Sequence, residues 1–183
     1  MISKTLVKRM LAGAQRLKQE YDQVQGIATV DTLKRIRVLV ILAAPLHAAL
    51  GWWFGHYHAP KGEANLQAWA DALTWLQYGL SAAVTVCGLL THLLLRINRA
   101  VGYPGLMLQI AFCGAYLAFG AAAAILDVSI GNGIGTFLVV CMGAATLSLM
   151  RPVFSALLYA ATFGMFWAIL RKSAVDPTLL SAL

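Results

Sequence analysis

Long apolar runs alternate along this chain with short, mostly basic links. Five runs, over 36–57, 73–95, 103–126, 134–150 and 152–170, carry no charged residue beyond Arg37 at the edge of the first. About 20 apolar residues in a helix cross a hydrocarbon core of about 30 Å. The pattern therefore predicts an all-α, polytopic membrane helix bundle with five visible spans. Asp31 reads as an N-cap for the first span, followed by Lys34, Arg35 and Arg37. Arg96 and Arg99 close the second, and Pro104 stands near the start of the third, where a helix tolerates it. The fourth is short, so its glycine-rich approach, Gly131-Asn-Gly-Ile-Gly135, is expected to be partly buried. Arg171 and Lys172 close the fifth.

A different pattern precedes the spans. Leu6, Met10, Leu17, Tyr21 and Val24 recur at spacings of three, four or seven and share one helical stripe. Lys8, Arg9, Arg16, Lys18, Glu20 and Asp22 decorate the rest. Residues 1–30 thus read as a cytoplasmic amphipathic helix lying at the membrane interface, with pairing to another subunit as the alternative. Residues 31–183 form the membrane domain. Its tail, Ser173 to Leu183, ends in apolar residues that read as the approach to a sixth span.

Composition agrees. Hydrophobic residues make up 60% and charged ones 11% of 183, with mean hydropathy +0.74. A soluble domain has roughly 25% charged residues, so an ordinary soluble enzyme, a disordered segment and a disulfide scaffold are excluded. Lys and Arg number 14 against seven Asp and Glu, a net charge of +7. They lie in the links and not on one nucleic-acid-binding face, so they read as orientation signals and no nucleic acid is expected. Alternating the spans puts 11 of the 14 on the side of the N-terminus, which places that side in the cytoplasm. Trp52, Trp53, Tyr57, Trp69 and Trp75 cluster at the opposite interface. Cys87, Cys113 and Cys141 sit inside apolar runs without metal-ligand spacing and read as small hydrophobes.

Candidate chemistry is sparse. The chain has no nucleophile elbow, phosphate loop or pair of catalytic carboxylates. His47 lies mid-span, two residues after Pro45, and an ionisable group at that depth points to function or to an interhelical hydrogen bond. A haem held between His47 and His92 is disfavoured, since their depths differ by about 9 Å at 1.5 Å per residue. His56 and His58 stand at the outer end of the first span, near Glu63 and Asp71, with Asp127 and Asp176 in the other outer segments. Such groups can hold a metal, a small ligand or protons, or they form a solvated rim. The candidate signal-sensing residues are His47, Trp52, Trp53, His56, His58 and Asp71, with no metal site assigned. Gly51 and Gly55, Gly114 and Ala118, and Gly120 and Ala124 have small-xxx-small spacing, which favours close intramolecular helix packing.

Met150-Arg151-Pro152 before a span containing Leu157-Leu158-Tyr159 and Phe166, then Asp176-Pro177-x-Leu179-Leu180-Ser181, forms a recognisable pattern. It resembles the six-span N-terminal membrane sensor regions of bacterial GGDEF-type diguanylate cyclases. The resemblance implies a sensor and anchor that regulates a cytoplasmic domain joining two GTP into cyclic di-GMP. It also implies pairing of two copies and an unidentified small-molecule or ion signal. No catalytic residue carries over, and GTP and Mg²⁺ would belong to the cyclase domain, leaving no cofactor evident in this chain. A small transporter or channel subunit with His47 on a polar path is the competing class. It predicts several polar groups at mid-bilayer, and His47 and Gln109 are the ones that stand out.

Overall fold

A computed structural model describes residues 4–60, 63–97, 102–131, 133–147 and 152–175. All regular structure among them is helical: α1 (Lys4–Gly55), α2 (Ala64–Arg96), α3 (Tyr103–Ser129), α4 (Gly135–Leu147) and α5 (Pro152–Val175). Four of these, α1, α2, α3 and α5, are long and apolar enough to cross a membrane. The fourth expected span is described over Gly135–Leu147, and residues 148–150 of its run lie outside the described residues. Those 13 residues extend about 20 Å at 1.5 Å per residue. The tail at 176–183, including Asp176 and the approach to a sixth span, lies outside the described residues, as do Lys61, Arg99 and Arg151.

Asp31 does not cap a helix. α1 runs 52 residues without interruption, so the first span and the segment before it are one element. Asp31 instead lies 3.3 Å from the Lys34 ammonium one turn on. Pro45 does not end the helix either, although its missing N–H leaves the Ile41 carbonyl without its helical donor.

α1 and α2 form an antiparallel hairpin whose register is set by small residues. Gly88 lies so close beneath Val40 that an added methyl would overlap it. A Cβ on Gly51 would come within 3.0 Å of the Tyr78 ring, and one on Gly55 within 3.4 Å of the Thr74 methyl. Between these contacts the Ser81 hydroxyl donates to the Ala44 carbonyl at 2.8 Å. The freed Ile41 carbonyl is therefore not the one this hydroxyl uses.

α3 is the central helix and packs against all four others. Leu33 and Ile36 of α1, Leu80 and Val84 of α2 and Phe112 of α3 make one core. A second joins Ala121, Ala124 and Ile125 of α3 to Phe137 and Phe166, whose rings stack 4.7 Å apart. Gly120 admits Val140 of α4, so three of the expected small-residue sites, at Gly51, Gly55 and Gly120, do pack within the chain. The glycine-rich approach to α4 does not. Gly131, Gly133 and Gly135 are exposed with open space where a Cβ would stand, and Gly131 turns the chain with φ +82°. Ile41, Leu42, Leu89, Val139 and Trp167 point outward, a girdle that suits lipid.

Candidate functional site

His47 is half-buried on α1 and joined to two other helices. Its Nδ1 lies 2.6 Å from the Gln77 Oε1 on α2. A carboxamide oxygen only accepts, so Nδ1 carries the proton and Nε2 presents its lone pair in the neutral ring. That Nε2 faces the Tyr116 hydroxyl of α3 at 3.4 Å, a long contact in which the phenol donates. The edge of Phe119 completes the surround, its centroid 5.5 Å from the imidazole. Gln77 is itself buried.

This arrangement makes His47 the polar junction of α1, α2 and α3. If the ring gains a proton, Nε2 becomes a donor and the Tyr116 oxygen must accept, so the phenolic hydrogen turns away. Protonation thus reverses one interhelical bond without breaking the other. Tyr116 also lines an apolar cavity of about 170 Å³ with Phe112, Cys113, Val140, Gly143 and Ala144. A change at His47 is therefore in contact with the α3–α4 packing.

A second polar junction holds together the ends of the helices next to the α1–α2 turn. The Trp69 indole N–H donates to Asp127 Oδ1 at 3.2 Å, and the Thr136 hydroxyl donates to Oδ2 at 2.6 Å. One carboxylate thereby ties α2 and α4 to the end of α3. The connection between α1 and α2 is fixed by Gln67, whose Oε1 accepts from the Ala59 N–H and whose Nε2 donates to the Tyr57 carbonyl and to Asp71. An open cleft of about 450 Å³ lies nearby, lined by Glu63, Ala64, Asn65, Leu66, Ser129 and Ile130.

The other expected sensing residues lie apart from His47. Trp52 and Trp53 are exposed. The exposed His56 ring packs 4.4 Å from Trp52, and its Nδ1 lies 2.8 Å from the Trp52 carbonyl. His58 Nδ1 lies 2.8 Å from the His56 carbonyl, and Asp71 accepts from Gln67. Among the described residues no group of three or more His, Cys, Asp and Glu is placed to hold a metal. His92 is exposed on α2 and does not face His47.

Gln77 and Tyr116, and Trp69 as the partner of Asp127, are the members that sequence reasoning missed as site residues. One signal for Gln77 was present: it and His47 stand at similar distances from the turn between α1 and α2, so a hairpin brings them level. Tyr116 had no such signal. No family model matches this chain, and neither a curated protein nor a solved structure matches it.

Proposed function

We propose that this chain is the membrane sensor and anchor region of a bacterial signalling protein, set in the inner membrane with its N-terminus in the cytoplasm. Its output would be a cytoplasmic diguanylate cyclase domain that makes cyclic di-GMP from GTP. The observation that carries the sensory part is the His47–Gln77–Tyr116 junction, a titratable group at membrane depth bonded across three helices. The basic N-terminal side and the Arg-Pro pattern near α5 support the orientation and the output.

The mechanism is a shift between packed states. A signal reaching the outer cleft, or the bundle itself, favours one arrangement of α1, α2 and α3 over another, and the difference is passed to the cytoplasmic side. His47 reports the signal by exchanging its bond to Tyr116. The rim residues Trp52, Trp53, His56, His58 and Asp71 are the first contacts for a signal arriving from outside. Two copies act together because the output reaction joins two GTP.

The test is made in the parent bacterium with the natural full-length protein. His47→Ala is expected to alter the response of cellular cyclic di-GMP while membrane insertion stays intact. An unchanged response reduces His47 to a packing residue. If deleting the gene leaves cyclic di-GMP unchanged under every condition tried, the cyclase reading falls.

A transporter or channel subunit is the second reading, favoured by one observation. Gln77, Tyr116 and the fully buried Gln109 add to the polar groups within the bundle. Flux of protons or small solutes into liposomes holding the purified protein would support it, as such a path requires.

A further inference from the structure

α1 is far longer than its membrane task. Its 52 residues extend about 78 Å at 1.5 Å per residue, against a hydrocarbon core of about 30 Å. Burial against the bundle begins only at Thr29, Thr32, Leu33 and Ile36. Every residue from 11 to 24 is exposed. The N-terminal half of α1 is therefore a projecting helix, continuous with the first span.

Most of its apolar residues fall on one seam, and Leu11 and Ile27, 59% and 58% exposed, stand beside it. Met10, Ala14, Leu17, Tyr21, Val24 and Ala28 are separated by four, three, four, three and four residues. That spacing, two positions in every seven, is the seam of a two-stranded coiled coil, and Leu11 and Ile27 take flanking positions at its two ends. Leu17, Tyr21 and Val24 are 69%, 45% and 60% exposed. Lys8, Arg9, Gln15, Arg16, Gln19, Asp22 and Gln23 occupy the positions away from the seam.

We propose that residues 10–28 of α1 pair in parallel with the same segment of a second copy. The occupant follows from the continuity of α1 and from the orientation that copies share in a membrane. A helix lying in the headgroup layer must turn through a large angle before entering the membrane, and α1 has no break between Lys4 and Gly55. Copies inserted in one membrane share an orientation, so their projecting segments stand parallel and in register.

Charge fits that register as well. The positions flanking the seam set Lys18 opposite Gly13 and Glu20 opposite Gln25 of the second copy, so no like charges meet.

The size of the seam also explains why the membrane is needed. About 27 Å of helix, some 10 Å wide, offers roughly 300 Å² per partner, below the roughly 800 Å² of a standard stable interface. Confinement to a shared bilayer supplies the missing effective concentration.

The inference rests on the pairing of two copies in the reading above, and not on the identity of the output. It is tested by oxidative cross-linking of the full chain in native membranes, with Cys87, Cys113 and Cys141 changed to Ala. Single cysteines are placed at 14, 15, 17, 19 and 21. Disulfide-linked dimers are expected to be at least tenfold more abundant at Ala14→Cys, Leu17→Cys and Tyr21→Cys than at Gln15→Cys and Gln19→Cys. Adding Leu17→Asp should remove the cross-link at 14 while insertion is unchanged.

A flat profile, or adducts with a different protein, overturns the proposal. So does strong quenching of a fluorophore at Leu17→Cys by shallow spin-labelled lipid, which is the signature of an interfacial helix. Cross-linking is independent of cyclic di-GMP, so failure here and failure of the cyclase reading are told apart.

Discussion

The His47 imidazole and the Gln77 carboxamide, 30 residues apart in the chain, meet 2.6 Å apart across α1 and α2. Interhelical bonds of this kind in a membrane protein average about 0.6 kcal/mol and reach about 1.7 kcal/mol. A double-mutant cycle with His47→Ala and Gln77→Ala should give a coupling in that range, read from unfolding of the reconstituted protein. A coupling near zero would show that the pair is adjacent without being energetically linked.

Asp127 bonds both Trp69 and Thr136 through separate oxygens. Asp127→Ala removes both acceptors and should destabilise by about 1–3 kcal/mol, the cost of leaving two half-buried donors unmatched. Asp127→Asn keeps one carbonyl oxygen and should cost less. Thermal melts in detergent give the order, and equal losses would mean that only one of the two bonds matters.

Gly88 has no room for a side chain because Val40 stands over it, whereas Gly79 has open space around it. Gly88→Ala should cost about 1–3 kcal/mol through overpacking, and adding Val40→Ala should recover most of it. Gly79→Ala should be neutral or gain up to about 1 kcal/mol from helix propensity. Similar effects at both glycines would contradict the close approach of α1 and α2.

Trp75 is 77% exposed, whereas Trp69 is half-buried and turned to Asp127. In single-tryptophan variants, brominated lipid should quench Trp75 strongly and Trp69 weakly. Equal quenching would place Trp69 at the lipid face and remove its bond to Asp127.

Lys18→Cys should react with a membrane-impermeant thiol reagent only from the cytoplasmic side, and Glu63→Cys only from the opposite side. Both residues are exposed and lie at opposite ends of the hairpin. Labelling from the reverse sides would invert the orientation drawn from the basic links.

The sequence made the helical membrane class readable because run length and apolarity are sufficient to decide it. Element ends were less readable. The second apolar run begins at 73, but α2 starts at Ala64, because Asn65, Gln67 and Asp71 are polar and helical at once. The same confusion of apolarity with helicity separated the first span from residues 4–35, which α1 joins. His47 stood out as an ionisable residue in an apolar run. Its partners did not, since a linear pattern carries depth along a helix but not which neighbour a face meets. Trp69 and Trp75 look alike as interface aromatics, and only packing separates the one bonded to a carboxylate from the one facing lipid.

The uninterrupted α1 carries a mechanical consequence. With no joint between Leu17 and His47, the helix acts as a lever whose fulcrum is the contact with α2 and α3. From Thr29, where burial begins, the 25 residues back to Lys4 make an arm of about 37 Å, so a tilt of about 5° sweeps the far end through about 3 Å, at 1.5 Å per residue. That is about half of one helical pitch of about 5.4 Å. A rearrangement small within the bundle can therefore move the N-terminal tip by a distance comparable to a side-chain contact.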